Sequence, residues 1–270
     1  VHHNFEGFCQ CGHCRHYVWG RLREAFEGGE LGVLYGSDQL ESVTDVLAPR
    51  PAADEALVSR ARIALERAAH HRRKEAFDEV FVRYGRSLEP DLLLAQWYHK
   101  YNFKPRDERS LLPPGLWACD EDYIWYSQGS AKGTSSLSQG YLADVGMPAR
   151  FVRAAGGGRP FFINKYDWTR WRLAIAEAGA HHFAGPAVHW SVDGLAEPDP
   201  GRYADTVYPY HAFLAEREYL FENAASHAQV ALVYPRRSEI AGRGDSTDAL
   251  RRLGRVMEDH HVLFDVILDE

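Results

Sequence analysis

Hydrophobic positions in the first third of the chain recur at helical spacing. Between Arg15 and Phe26, Tyr17/Val18, Leu22 and Phe26 fall near a 3.6-residue period and predict a helix, which Gly28-Gly29 would end. Residues 30–53 show no period and contain Pro49 and Pro51, so an irregular stretch is expected. From Asp54 to Tyr84 the period returns: Ala56/Leu57, Ala61, Ala64/Leu65, Ala68, Ala76/Phe77, Val80/Phe81 and Tyr84 form one apolar stripe. That pattern predicts a long helix with Gly85 just past its cap. The basic run His70-His-Arg-Arg-Lys74 inside it reads as a solvated face.

The pattern then changes to short unbroken apolar runs bounded by polar residues. These are 90–99, 122–128 and 159–165, with a weaker one at 180–185, and each suits a strand buried on both faces. Helical stretches are expected between and after them, at 136–145 or 147–155, at 168–178 and at 203–223. Strand and helix alternating in this way predict a parallel α/β sheet with crossover helices. No Gly-x-Gly-x-x-Gly and no P-loop follows any strand, which removes support for a nucleotide-binding fold. Polar and aromatic residues gather at the C-terminal strand ends, as they do around barrel active sites. The expected fold is therefore the second half of a (β/α)8 TIM barrel, over 1–226.

A fresh β-α-β pattern begins after Ser226. Strands are expected at 229–234 and 262–268, around a helix at 248–260 with Leu250, Leu253, Val256 and Met257 facing inward. This reads as the start of a doubly wound, flavodoxin-like domain over 227–270. The chain begins at Val1 with no initiator Met or signal peptide and closes on the apolar run Phe264–Leu268, so it is expected to be an internal fragment of a longer protein.

Composition narrows the function classes. Lys and Arg number 31 against 38 Asp and Glu, a net charge of −7, which argues against a general nucleic-acid binder. No apolar run approaches the roughly 18 residues of a membrane span. Only four cysteines occur, three of them crowded together, so reduced, metal-bound thiols in a cytoplasmic setting are expected rather than a disulfide framework. Six of the seven tryptophans lie within 97–190, where Trp97, Trp168 and Trp190 stand at strand ends. A Trp is most often a core residue, but its flat face also stacks on sugar rings.

The cysteines form Cys9-x-Cys11-x-x-Cys14. Two thiolates one residue apart and a third three further on can face one point, as a tetrahedral zinc site requires. Cys119, His13, His16 or a residue ahead of Val1 are the candidates for a fourth ligand. No ligand set of the open, catalytic kind is present, so a bound zinc is expected to be structural. No Gly-x-Ser-x-Gly elbow supports serine hydrolase chemistry.

The C-x-C-x-x-C after an Asn-containing strand end, with a helix opening Arg15-His-Tyr, resembles family 42 glycoside hydrolases, which are β-galactosidases. The resemblance implies that Cys9, Cys11 and Cys14 hold a structural zinc, and that Val230–Pro235 and Phe264–Ile267 open a trimerisation-like domain, hence a homotrimer. It also implies retaining hydrolysis of an oligosaccharide or other glycoside by two carboxylates roughly 5–5.5 Å apart. Glu6, in Asn4-Phe-Glu, is the acid/base candidate, and a solvated loop carboxylate is its alternative. Strand seven should end in the nucleophile, yet 159–165 runs into Asn164-Lys165-Tyr-Asp167 with no glutamate. Asp167 is the nearest carboxylate, and a helix N-cap is its competing role. Asn4, Trp97, His99, Gln128, Asn164, Lys165, Trp168, His189 and Trp190 are expected to bind substrate. The missing glutamate favours an alternative class, a non-catalytic carbohydrate-binding or structural protein.

Overall fold

In the computed structural model of the chain, the described residues are 2–4, 9–43, 47–99, 120–127, 146–164, 175–176, 179–181, 205, 208–221, 224–240 and 245–269. The first element is β1 (His2–Asn4), followed by α1 (Gly12–Ala25) and α2 (Gly28–Tyr35). Gly28 and Gly29 therefore open a helix instead of only ending one. Glu27 caps α2 reciprocally with Glu30, whose carboxylate accepts the Glu27 N–H at 3.0 Å. At its other end Gly36 takes a left-handed φ of 79°, which closes the helix.

Next comes α3 (Glu55–Phe77), started by Asp54, whose side chain accepts the N–H groups of Ala56 and Leu57 at 2.9 and 3.1 Å. It runs into a π-helical segment (Asp78–Tyr84) and then α4 (Gly85–Leu88). Gly85 has an ordinary right-handed helical conformation, so the helical path passes through the expected stop to Leu88.

Of the apolar stripe expected on this helix, Ala61, Leu65 and Ala68 are buried, and Val58 and Ala69, outside that stripe, are buried with them. Beyond that, His70, Lys74 and Asp78 turn inward at four-residue intervals, while Val80, Phe81 and Tyr84 are exposed. Lys74 donates to Glu121 Oε1 and Oε2 at 3.1 and 3.0 Å and also to Asp78. Pairing one ammonium between two carboxylates is what permits this face to be buried. The expected solvated basic face is thus partly core.

The strands are β2 (Ala95–His99), β3 (Tyr123–Ser127) and β4 (Phe161–Asn164), with α5 (Gly146–Ala155) between the last two. With β1 they make one parallel sheet in the order β1-β2-β3-β4. At the N-terminal ends, Asp122 accepts the Leu94 N–H at 2.7 Å and Arg86 at 2.9 Å, and Arg159 donates to the Glu121 carbonyl at 3.2 Å. Gly157 and Gly158, with φ of 59° and 80°, turn the chain from α5 toward β4.

After α6 (Tyr208–Ala215), β5 (Val230–Tyr234) and β6 (Phe264–Leu268) form a separate two-stranded parallel sheet. Between them stand α7 (Arg236–Ile240) and α8 (Asp245–Asp259). The buried side of α8 is Thr247, Leu250 and Gly254; Leu253 and Val256 are half exposed, contrary to expectation. Gly254 lets Met147 of α5 approach closely. Phe151 packs on Tyr234 at a ring separation of 4.6 Å, and Arg150 pairs with Glu258 at 2.8 Å.

The expected half-barrel followed by a doubly wound domain is overturned. Most of the described residues are helical, and neither a closed barrel nor a doubly wound sheet is formed among them. The physical reason lies in the packing. One described core is helix against helix, joining Val18, Leu22, Leu31, Leu34, Ala61 and Leu65 of α1, α2 and α3. The strands are only three to five residues long, and β5–β6 has no third strand at which the order could reverse among the described residues. Of the weaker strand expected at 180–185, Ala180 is helical and His181 lies in a turn, and the rest falls outside the described residues. No helix among the described residues is long and apolar enough to cross a membrane.

Candidate functional site

Among the described residues β1 ends at Asn4 and α1 begins at Gly12, with Cys11 as its N-cap in extended conformation (φ −64°, ψ 160°). Cys9 precedes this cap and Cys14 lies in the first turn. Their three Sγ atoms all lie within 4.8 Å of one another. A tetrahedral ion with metal–sulfur bonds of about 2.3 Å sets its sulfurs roughly 3.8 Å apart. The cluster therefore fits a metal ion with only a small contraction, and the three cysteines could bind one.

The electrostatics of the three thiols differ. The Cys14 backbone N–H, aided by the Cys9 and Cys14 thiols, brings Cys11 down to about 7. Burial pushes Cys14 up to about 11, and hydrogen bonding to Cys11 and Cys9 adds to this. One sulfur is thus ready to be a thiolate near neutral pH, and its neighbours donate to it. A bound cation would favour the thiolate form of all three.

The candidates for a fourth ligand separate on geometry. His13 and His16 are not members of the cluster. His16 donates from Nδ1 to the Gly12 carbonyl at 2.8 Å and lines a cavity of about 490 Å³ with Trp19 and Arg23 on α1, facing residues 38–41. Cys119 lies outside the described residues.

The expected catalytic and substrate-binding residues divide in two. Glu6, Gln128, Lys165, Asp167, Trp168, His189 and Trp190 lie outside the described residues. Of the other four, Asn4, His99 and Asn164 end their strands, while Trp97 stands in the middle of β2 and not at the strand end expected for it. Asn4 pairs in register with Trp97, Trp97 with Trp125, and Trp125 with Phe162. Two residues further along, His99 pairs with Ser127 and Ser127 with Asn164. Positions two apart on a strand share a face, so a mainly aromatic row of positions and a polar row belong to the same side of the sheet. The rings of Tyr123 and Phe162 meet edge-on at 4.8 Å.

Trp125 and Ser127 were not among the residues expected to bind. The repeated triplets Trp97-Tyr98-His99 and Trp125-Tyr126-Ser127 were the sequence signal that could have found them. Gln10 and Arg15, which tie the cysteine segment to Leu47 and Val43, left no comparable signal. Their partners lie 37 and 28 residues away.

Comparison with protein-family models and with curated proteins found no match for the chain, so the chemistry of this site is read from its own residues.

Proposed function

We propose that the chain is a glycoside hydrolase-like protein that binds an oligosaccharide at the C-terminal rim of its parallel sheet, beside a structural zinc held by Cys9, Cys11 and Cys14. The observation that carries this reading is the strand register. It lines up Asn4, Trp97, Trp125 and Phe162 in one row and His99, Ser127 and Asn164 in the next, on one face. Flat aromatic groups for the apolar faces of a sugar, beside donors and acceptors for its hydroxyls, form a carbohydrate-binding composition.

Catalysis on this reading uses Glu6 and Asp167. Asp167 attacks the anomeric carbon as Glu6 protonates the leaving oxygen. Glu6 then takes a proton from the water that releases the sugar. Glu6 lies in the short segment between Asn4, fixed in β1, and Cys9. Three thiolates on one ion would restrain that segment at its far end, and zinc binding would add folding energy directly. The molecule would work in the cytoplasm.

Metal analysis of the purified protein is expected to find about one zinc per chain, and Glu6→Gln to lower turnover of an aryl glycoside by about 10²–10⁴-fold. Unchanged turnover removes Glu6 from the mechanism. A second reading, carbohydrate binding without hydrolysis, is favoured by one observation. The described C-terminal strand ends carry Asn4, His99, Ser127 and Asn164, none of them a carboxylate. Oligosaccharide binding with no turnover by the wild-type chain decides for that reading.

A further inference from the structure

The residue between the first two thiols reaches well beyond the cluster. Gln10 Oε1 accepts the backbone N–H of Leu47 at 3.2 Å. Directly after Cys14, Arg15 donates from Nη2 to the carbonyl of Val43 at 2.7 Å. Val43 and Leu47 are both buried in the same helical core as Val18 and Leu22 of α1. The stretch that carries them returns to α2 where Arg50 N–H donates to the Leu34 carbonyl at 2.7 Å. Just ahead of it, residues 38–41 face α1 across the cavity of about 490 Å³. One wall of that cavity therefore belongs to α1, and the other joins a segment tied to the cysteine cluster at two points.

We propose that Gln10 and Arg15 are positioning residues through which metal loading of Cys9, Cys11 and Cys14 locks Val43 and Leu47 onto α1. This rests on the reading of a metal at the three thiolates. Gln10 precedes the first turn of α1 and is outside its hydrogen-bond ladder, so little in the helix orients its backbone. Coordination of both its neighbours would fix that backbone from either side. The Gln10 amide would then meet the Leu47 N–H without first being ordered, which removes chain entropy from the cost of the contact. Arg15 is fixed in the same way, through Cys14 on one side and its own N–H bond to the Cys11 carbonyl at 2.9 Å on the other. Coupling of this kind is reciprocal: whatever the metal adds to the Leu47 contact, that contact adds to metal affinity.

The test is amide hydrogen exchange on the full chain, zinc-loaded and after chelation, with zinc affinity measured by competition against a chromophoric chelator. Zinc is expected to slow exchange at Leu47 about tenfold or more. Gln10→Ala is expected to abolish that difference at Leu47 and to weaken zinc binding about tenfold, the lower end of what losing an outer partner of a metal site costs. Gln10→Glu, which keeps an acceptor for the Leu47 N–H, is expected to restore the protection. If zinc binds and Leu47 exchanges equally with and without it in the wild-type chain, the coupling is overturned while the metal reading stands. If no zinc binds, the metal reading falls and takes the coupling with it. The wild-type comparison decides even if the alanine variant does not fold.

Discussion

His70 shows how one residue can carry the pH response of a helical core. It lies in the middle of α3 with about 1% of its surface exposed, and its Nδ1 makes no hydrogen bond. Its Nε2 stands 3.4 Å from a Glu66 carboxylate oxygen, and Arg73 and Arg236 are the nearby cations. Burial lowers its pKa from 6.5, and the pull of Glu66 in the opposite direction does not reverse this. The folded state therefore holds the imidazole neutral. Its stabilising contribution is complete above the unfolded pKa of about 6.5 and is lost as pH falls toward the folded value. Denaturant unfolding is expected to show stability declining from about pH 7 to pH 5 in the wild type. In His70→Leu that decline should be shallower by at most about 1.4 kcal/mol per pH unit, one proton's worth. An unchanged slope would assign the decline to other groups.

At the scale of elements, α3 is the one against which the others are placed. It packs on α1 and α2 at its start, and its C-terminal half reaches the N-terminal ends of the strands. Its first turn depends on Asp54, whose carboxylate satisfies two backbone N–H groups that would otherwise lack partners. Asp54→Ala is expected to cost about 1 kcal/mol, with Asp54→Asn recovering most of it, as read by thermal or urea unfolding. The helix beyond Asp54 is legible in the sequence because its signal, apolar positions at helical spacing, is local; the Asp54 cap was not among the expectations. The continuation through Gly85 is not legible. Gly85 permits a left-handed stop but does not demand one, and the helical turn beyond it is tied through Arg86 to Asp120 and Asp122, just ahead of β3.

Across the whole molecule, the buried Lys74–Asp78–Glu121 cluster joins the helical core to the sheet. All three residues are nearly inaccessible, and the two Lys74 contacts to Glu121 span 47 residues. Burial raises the Asp78 pKa in spite of the Lys74 ammonium beside it. Lys74→Met keeps the length of the stem but leaves two carboxylates buried with no ammonium between them. It is expected to destabilise the chain by about 3–5 kcal/mol, measured by urea unfolding at neutral pH, with a smaller loss in acid where the carboxyls are neutral. A loss below about 1 kcal/mol would mean that the cluster is already hydrated and is not a core contact.

The sequence by itself determined the features that depend on near neighbours. The Cys9-x-Cys11-x-x-Cys14 spacing placed three sulfurs within reach of one ion, and apolar runs marked β2 to β6 to within a few residues. It also put polar groups at strand ends, because Asn4, His99 and Asn164 close their runs locally. Tertiary structure alone decided how those pieces were joined. Short apolar runs mark strands but not what packs on them, and the burial of α1, α2 and α3 against one another is a sum over contacts with no local period. The direction of the second half of α3 was hidden for the same reason. Read locally, Lys74 and Asp78 belong in water, and only Glu121, 47 residues from Lys74, makes their burial favourable. The ties from Gln10 to Leu47 and from Arg15 to Val43 are of this second kind, since a hydrogen bond between distant residues depends on the fold and leaves no periodic mark in the chain.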